Sequence, residues 1–252
     1  MITKRIIPCL NVRNEKVLPA GTGEGAFHAQ SPIELALKYV EQGADELLFY
    51  DLSTSAEDRK AFMKMMQMVT RSVFIPLTVG GGITKLSDFE RILACGGDKV
   101  SVKAGAVKYP HLVEEAAKKY GDQCVVLTTD VKMVKGAYHV FVHGQDTGLD
   151  AIEFIRRSVG NGAGEVVVNS LNTCGGKGGF DLPLMRKICE EVTVPVIASG
   201  GAGTQEDFAR LFQSIPKIDA ALASTAFHFE DVKIDELKNY LHAKGLNVRH
   251  KL

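Results

Sequence analysis

The chain has no CxxC pair, no HxH or HExxH motif, and no apolar run near the roughly 20 residues that a bilayer-spanning helix needs. It also has no surplus of one charge: Lys+Arg and Asp+Glu both number 30. Balanced charge gives no electrostatic footprint for nucleic acid or a membrane surface. Five scattered cysteines, Cys9, Cys95, Cys124, Cys174 and Cys189, are an odd number without a pairing pattern. All but Cys174 lie in apolar strand or helix patterns, so they are expected to be buried, reduced thiols in a cytoplasmic protein. The seven histidines lack ligand spacing, so no metal site is expected, and no cofactor either. The opening MITKRIIPCL runs directly into a strand and lacks the apolar segment and cleavage site of a signal peptide.

What is present is a regular alternation. The 252 residues are 45% hydrophobic and 24% charged, a globular composition with a large core. Eight short, β-branched runs are expected as strands: Arg5–Leu10, Glu46–Asp51, Phe74–Val79, Lys99–Val102, Cys124–Thr129, Glu165–Ser170, Val194–Ala198 and Ala220–Ala223. Amphipathic segments separate them. Strand–helix alternation implies parallel pairing with helical crossovers. Successive rather than alternating apolar residues imply strands covered on both faces. Eight such units predict a single (β/α)8 barrel of the TIM type, an α/β fold, with an open doubly wound sheet as the competitor.

The chain also repeats itself. GADELLFYDL (43–52) resembles GAGEVVVNSL (162–171), and IPLTVGGGITKLSDF (75–89) resembles VPVIASGGAGTQEDF (194–208). Both pairs share one offset, 162−43 = 194−75 = 119, and the same offset places Asn11 on Asp130. A third pair, DKVSVKAGAV (98–107) and DAALASTAFH (219–228), follows at 219−98 = 121. A twofold internal (β/α)4 repeat is expected, with halves of about 1–120 and 121–252 in one domain.

In such a barrel the active site lies at the C-terminal strand ends. Asn11 and Asp130 would face each other across that mouth. Asp130 can exchange a proton, whereas Asn11 can only donate or accept hydrogen bonds. VGGGIT (79–84) and SGGAGT (199–204) each lead from a strand into a helix, and VKAGA (102–106) and ASTA (223–226) form adjacent small-residue turns. Glycine admits close backbone approach, and helix N-terminal N–H groups favour anions. Two such pairs on opposite sides imply a small molecule with a phosphate at each end. Arg5, Glu46, Lys99 and Glu165 begin four strands and would meet at the barrel floor, as structural ion pairs or as a gate on an axial passage.

KRIIPCLNV, DELLFYDL, PLTVGGGI, DKVSV, PVIASGGAG, TAFHF and LKNYLHAKGLNVR together resemble the cyclase subunit of imidazole glycerol phosphate synthase, over essentially the whole chain. The resemblance implies a lyase of histidine biosynthesis in a heterodimer with a glutaminase amidotransferase subunit. Ammonia from the partner would travel through the barrel and cyclise a ribulosyl aminoimidazole carboxamide bisphosphate. It implies that Asp130 is one of two catalytic aspartates, and that Arg5, Glu46, Lys99 and Glu165 form the ammonia gate. It implies phosphate contacts at Gly82, Ala104, Gly201, Gly203, Ser224 and Thr225, an active-site role for Asp51, and a place for Asp98 at the glutaminase face.

The chain departs from that family at Asn11, where the other aspartate is expected, and at Pro19, where a lysine is expected. Lys103 replaces an asparagine near a phosphate and could add a point charge there. Asn172 and Cys174 replace acidic residues, and the loop at VHGQDTG lacks the family's lysines. The departures leave three readings open: a working cyclase with Asn11 orienting substrate, a paralogue aminating another phosphorylated or sugar-like acceptor, and a noncatalytic partner of a glutaminase.

Overall fold

A computed structural model describes residues 3–18, 30–176 and 178–249. In chain order its strands are β1 (Arg5–Arg13), β2 (Lys16–Leu18), β3 (Leu47–Asp51), β4 (Leu77–Gly80), β5 (Lys99–Val102), β6 (Val125–Val134), β7 (Ala137–Val142), β8 (Gln145–Asp150), β9 (Glu165–Ser170), β10 (Val196–Ser199) and β11 (Ala220–Ala223). The helices are α1 (Pro32–Glu41), α2 (Ala56–Ser72), α3 (Leu86–Ala94), α4 (Ala104–Lys108), α5 (Leu112–Tyr120), α6 (Ala151–Gly160), α7 (Leu182–Glu191), α8 (Gln205–Ser214), α9 (Thr225–His228) and α10 (Ile234–Ala243). Strands β1, β3, β4, β5, β6, β9, β10 and β11 pair in parallel in that order, and β11 returns to β1. The sheet is therefore a closed eight-stranded barrel with helices between its strands.

Burial on both strand faces explains the successive apolar residues. In β9, Val166 and Val168 enter the core between barrel and helices, while Val167 joins Ile7, Leu48, Val126, Ile197 and Leu222 inside the barrel. The helices present their apolar faces to the outer core, where Phe89 of α3 and Phe208 of α8 are fully buried. The start of α8 is fixed by side-chain caps: Thr204 accepts from the Asp207 N–H, and Asp207 accepts from the Thr204 N–H. Such caps contribute about 1 kcal/mol each.

Four strands begin later than the sequence predicts, β3 and β6 by one residue and the other two by more. β4 starts at Leu77 rather than Phe74, and β10 at Val196 rather than Val194. Pro76 and Pro195 have no N–H for a ladder, although their carbonyls accept from Leu47 and Val166. Phe74 is consequently out of the sheet and 88% exposed. β6 begins one residue after Cys124, whose side chain is only half-buried.

Antiparallel extensions at the mouth add three strands to the eight that the sequence predicts. β2 folds back on β1 through Asn14–Glu15, β7 on β6 through Lys135–Gly136, and β8 on β7 through His143–Gly144. All six turn residues have positive φ, which suits two-residue turns between twisted strands. Pro19 and the rest of the loop over 19–29 lie outside the described residues.

Candidate active site at the barrel mouth

The strand ends converge as the parallel register requires. Asn11 of β1 stands beside Tyr50 of β3, and Asp130 of β6 stands beside Asn169 of β9. Both pairs obey the 119-residue offset, since 11+119 = 130 and 50+119 = 169.

Asp130 is 8% exposed and has both carboxylate oxygens engaged. Lys103 Nζ lies 2.6 Å from Oδ2, and Asn169 Nδ2 donates to Oδ1 at 2.8 Å. Asn169 in turn accepts from Ser199 Oγ at 3.3 Å. A charged donor and an amide thus hold the carboxylate in one orientation. The Asn11 carboxamide receives only a long Cys9 Sγ contact at 3.9 Å among the side chains described. The Cys9 thiol beneath it is pushed up to about 12, chiefly by burial and partly offset by the Lys103 charge.

Lys103 stands beside the adjacent cradle and is paired with Asp130. It is the residue before α4, and its side chain turns to the β6 strand end. Ser224 precedes α9 with a similar backbone, φ −119° and ψ −77° against −120° and −95° for Lys103. The first N–H groups of these short helices, including those of Ala104 and Thr225, have no intrahelical acceptor. Ser224 Oγ is buried without a hydrogen-bond partner, the kind of orphan that an anion or water satisfies.

The two glycine loops are built for close approach. Gly82 has φ +62°, and a Cβ there would lie 2.2 Å from the Arg59 guanidinium. Gly201 has φ +92°, and a Cβ would lie 2.2 Å from the Gly179 carbonyl oxygen. Gly203 contributes differently: its N–H donates to Asp207 Oδ2 at 3.1 Å and is already satisfied. Asp51 lies under the first loop, where it pairs with Arg59 Nε at 3.2 Å and accepts from the Ser53 N–H.

Below the mouth, Tyr50 reaches across the interior from β3 and donates to Thr128 Oγ1 of β6 at 2.9 Å; Thr128 also bonds Ser101 of β5 at 2.7 Å. Gly80 makes room for the ring, since a Cβ there would lie 2.8 Å from Tyr50 Cε1. At the opposite end the four floor charges form a closed ring. Arg5 bonds Glu46 at 2.9 Å and Glu165 at 2.5 Å, and Lys99 bonds Glu46 at 3.0 Å and Glu165 at 2.8 Å. Thr78 Oγ1 donates to Glu46 at 2.6 Å. Asp98 is exposed beside this floor, and its carboxylate accepts from the Leu77 N–H at 2.8 Å.

Candidate residues therefore fall into three groups: Asn11, Asp130 and Lys103 at the mouth, the small-residue turns around it, and the ionic ring beneath. Tyr50, Asn169 and Arg59 were not singled out from the sequence. Polar residues at related positions of apolar strands, 50 and 169, were the available signal for the first two. Cys174 lies on an exposed turn, and its thiol is held up by partial burial and by the Asp130 charge, which disfavours the nucleophilic thiolate. Asn172 bridges the Met133 N–H and the Asp181 carboxylate, so it pins the end of β9 to β6. Among the described residues, no group of three His, Cys, Asp or Glu side chains is placed to hold a metal ion.

The histidine biosynthesis protein family model matches residues 5–233. The chain is 45% identical to the imidazole glycerol phosphate synthase subunit HisF of Geobacillus thermodenitrificans, over 99% of this chain and 100% of that protein. It is 43% identical to the same-named subunit of Oceanobacillus iheyensis, over 99% and 98% of the two chains, and 41% identical to that of Natranaerobius thermophilus, over 99% and 100%. Full-length similarity at this level, on a closed parallel barrel, places the chain in the histidine biosynthesis protein family, among the HisF subunits of imidazole glycerol phosphate synthase.

Proposed function

We propose that this barrel is the cyclase subunit of an imidazole glycerol phosphate synthase, a lyase of histidine biosynthesis. It would use ammonia to cyclise a ribulosyl aminoimidazole carboxamide bisphosphate. The observation that carries this reading is the oriented Asp130 carboxylate between the two small-residue cradles at Gly82/Ala104 and Gly201/Ser224.

In this reading each cradle takes one phosphate. Backbone approach at Gly82 and Gly201, the first N–H groups at Ala104 and Thr225, and the orphan Ser224 hydroxyl supply the contacts. Gly203 shapes its loop through Asp207, and Asp51 holds the other loop through Arg59. Asp130 exchanges protons with the bound intermediates, and Asn11 orients them by hydrogen bonding.

Ammonia would come from a glutaminase amidotransferase subunit docked over the barrel floor, with Asp98 at its edge. Arg5, Glu46, Lys99 and Glu165 would gate its entry. Every member of that ring has two ionic partners, so opening it means exchanging partners or admitting water.

Calorimetric titration with the bisphosphate tests the site. One molecule should bind per chain. A carboxylate placed in either cradle, Ala104→Asp or Ser224→Asp, should weaken binding at least tenfold by facing a phosphate with like charge. Binding unaffected by both substitutions would remove the two-cradle reading.

A further inference from the structure

Asn11 leaves the mouth one titratable group short of an acid and a base. Lys103 occupies the position where that deficit can be met. Its Nζ is 2.6 Å from Asp130 Oδ2, and its side chain is 39% exposed while that of Asp130 is 12% exposed. An ammonium carries three donors. One is spent on Asp130, and the open side of the pair leaves the others for a molecule in the mouth. Asn169 fixes the far oxygen of Asp130, so the carboxylate cannot turn away from the lysine without losing that bond. The Lys103 charge also acts on the Cys9 and Cys174 thiols. Both are shifted upward, and neither supplies a second carboxylate.

We propose that Lys103 is a catalytic residue of the cyclase reaction, the proton donor that works with Asp130 in place of a carboxylate at position 11. This rests on the proposed cyclase function. As ammonia adds to the ketone of the ribulosyl chain, its lone pair forms the C–N bond and the C=O π pair moves onto oxygen. Lys103 gives that oxygen a proton, and Asp130 takes one from the new ammonium nitrogen. The products are a neutral carbinolamine, a lysine amine and a carboxylic acid. Proton transfer across the 2.6 Å contact then restores the ion pair. Asn11 remains a hydrogen-bonding group on the opposite wall.

The test is ammonium-driven turnover of the bisphosphate by the full chain, comparing wild type with Lys103→Gln, Lys103→Arg and the double variant Asn11→Asp/Lys103→Gln. Loss of an acid/base group predicts kcat lower by roughly 10²–10⁴-fold in both single variants, with little change in KM. Arginine should not rescue, because a guanidinium stays protonated. The double variant should regain turnover, because it restores a second carboxylate, and this would also show that the site is assembled. A raised KM with unchanged kcat would overturn the proposal and give Lys103 to the phosphate. Full kcat in Lys103→Arg would also overturn it. A wild type that binds the bisphosphate but never turns it over would instead remove the cyclase function on which the proposal rests.

Discussion

Asn11 and Asp130 show how much one residue's chemistry depends on neighbours distant in sequence. The 119-residue offset between matching stretches of sequence made both legible as strand-end residues. It could not show that Asp130 is clasped by Lys103 and Asn169, since side-chain direction follows from inter-strand register and the local turn. Asp130→Asn should lower ammonium-driven kcat by roughly 10²–10⁴-fold while bisphosphate affinity stays close to wild type. A second residue-scale prediction concerns His228, buried against the Tyr39 hydroxyl at 2.6 Å. Burial lowers its pKa to about 4 in the folded protein, against an ordinary value of 6.5. Above pH 6.5 it is neutral in both folded and unfolded chains and contributes no pH dependence. As pH falls from 6.5 toward 4, the unfolded chain gains the proton first, and up to about 3 kcal/mol of stability is lost. Urea unfolding at pH 7 and pH 4.5 should show a smaller difference for His228→Gln than for wild type.

At the scale of elements, the barrel strands were readable because burial on both faces selects continuous β-branched runs. Their starts were less readable: Pro76 and Pro195 set back β4 and β10 by removing a ladder donor at each. The hairpins β1–β2, β6–β7 and β7–β8 were missed because turns through Asn-Glu, Lys-Gly and His-Gly lack the usual Asn-Gly or Asp-Gly signal. Strand starts are also secured by carboxylates, as Asp45, Asp98 and Asp219 accept from the N–H groups of Ile6, Leu77 and Val196. Asp98 thus has a structural duty beside its proposed place at an interface. Asp45 also pairs with Lys238 of α10 at 2.8 Å, both side chains being 5% exposed. Lys238→Met should strand a buried carboxylate and cost about 3 kcal/mol, measurable as a lower urea midpoint. A joint Asp45→Asn/Lys238→Met change should recover part of that loss.

Across the whole molecule, two ends with different chemistry are joined by one barrel. The mouth brings together a carboxylate, a lysine and small-residue turns. The floor is a ring of four charges, and between them lie an apolar band and the Tyr50 hydroxyl bridge. Composition predicted none of this polarity, because the net charge is zero; it comes from which end of each strand bears the charged residue. Glu46→Gln should remove its ionic contacts to Arg5 and Lys99 while leaving the mouth untouched. Ammonium-driven turnover should then stay within a few fold of wild type, while coupling to glutamine hydrolysis by a glutaminase partner changes.

The central claim is most directly tested by incubating the purified chain with the ribulosyl aminoimidazole carboxamide bisphosphate and saturating ammonium, and following product by mass spectrometry. The account predicts imidazole glycerol phosphate and the released aminoimidazole carboxamide nucleotide in equal amounts, with formation slowed roughly 10²–10⁴-fold in Asp130→Asn. Recovery of unchanged bisphosphate from a chain that binds it tightly would contradict that claim.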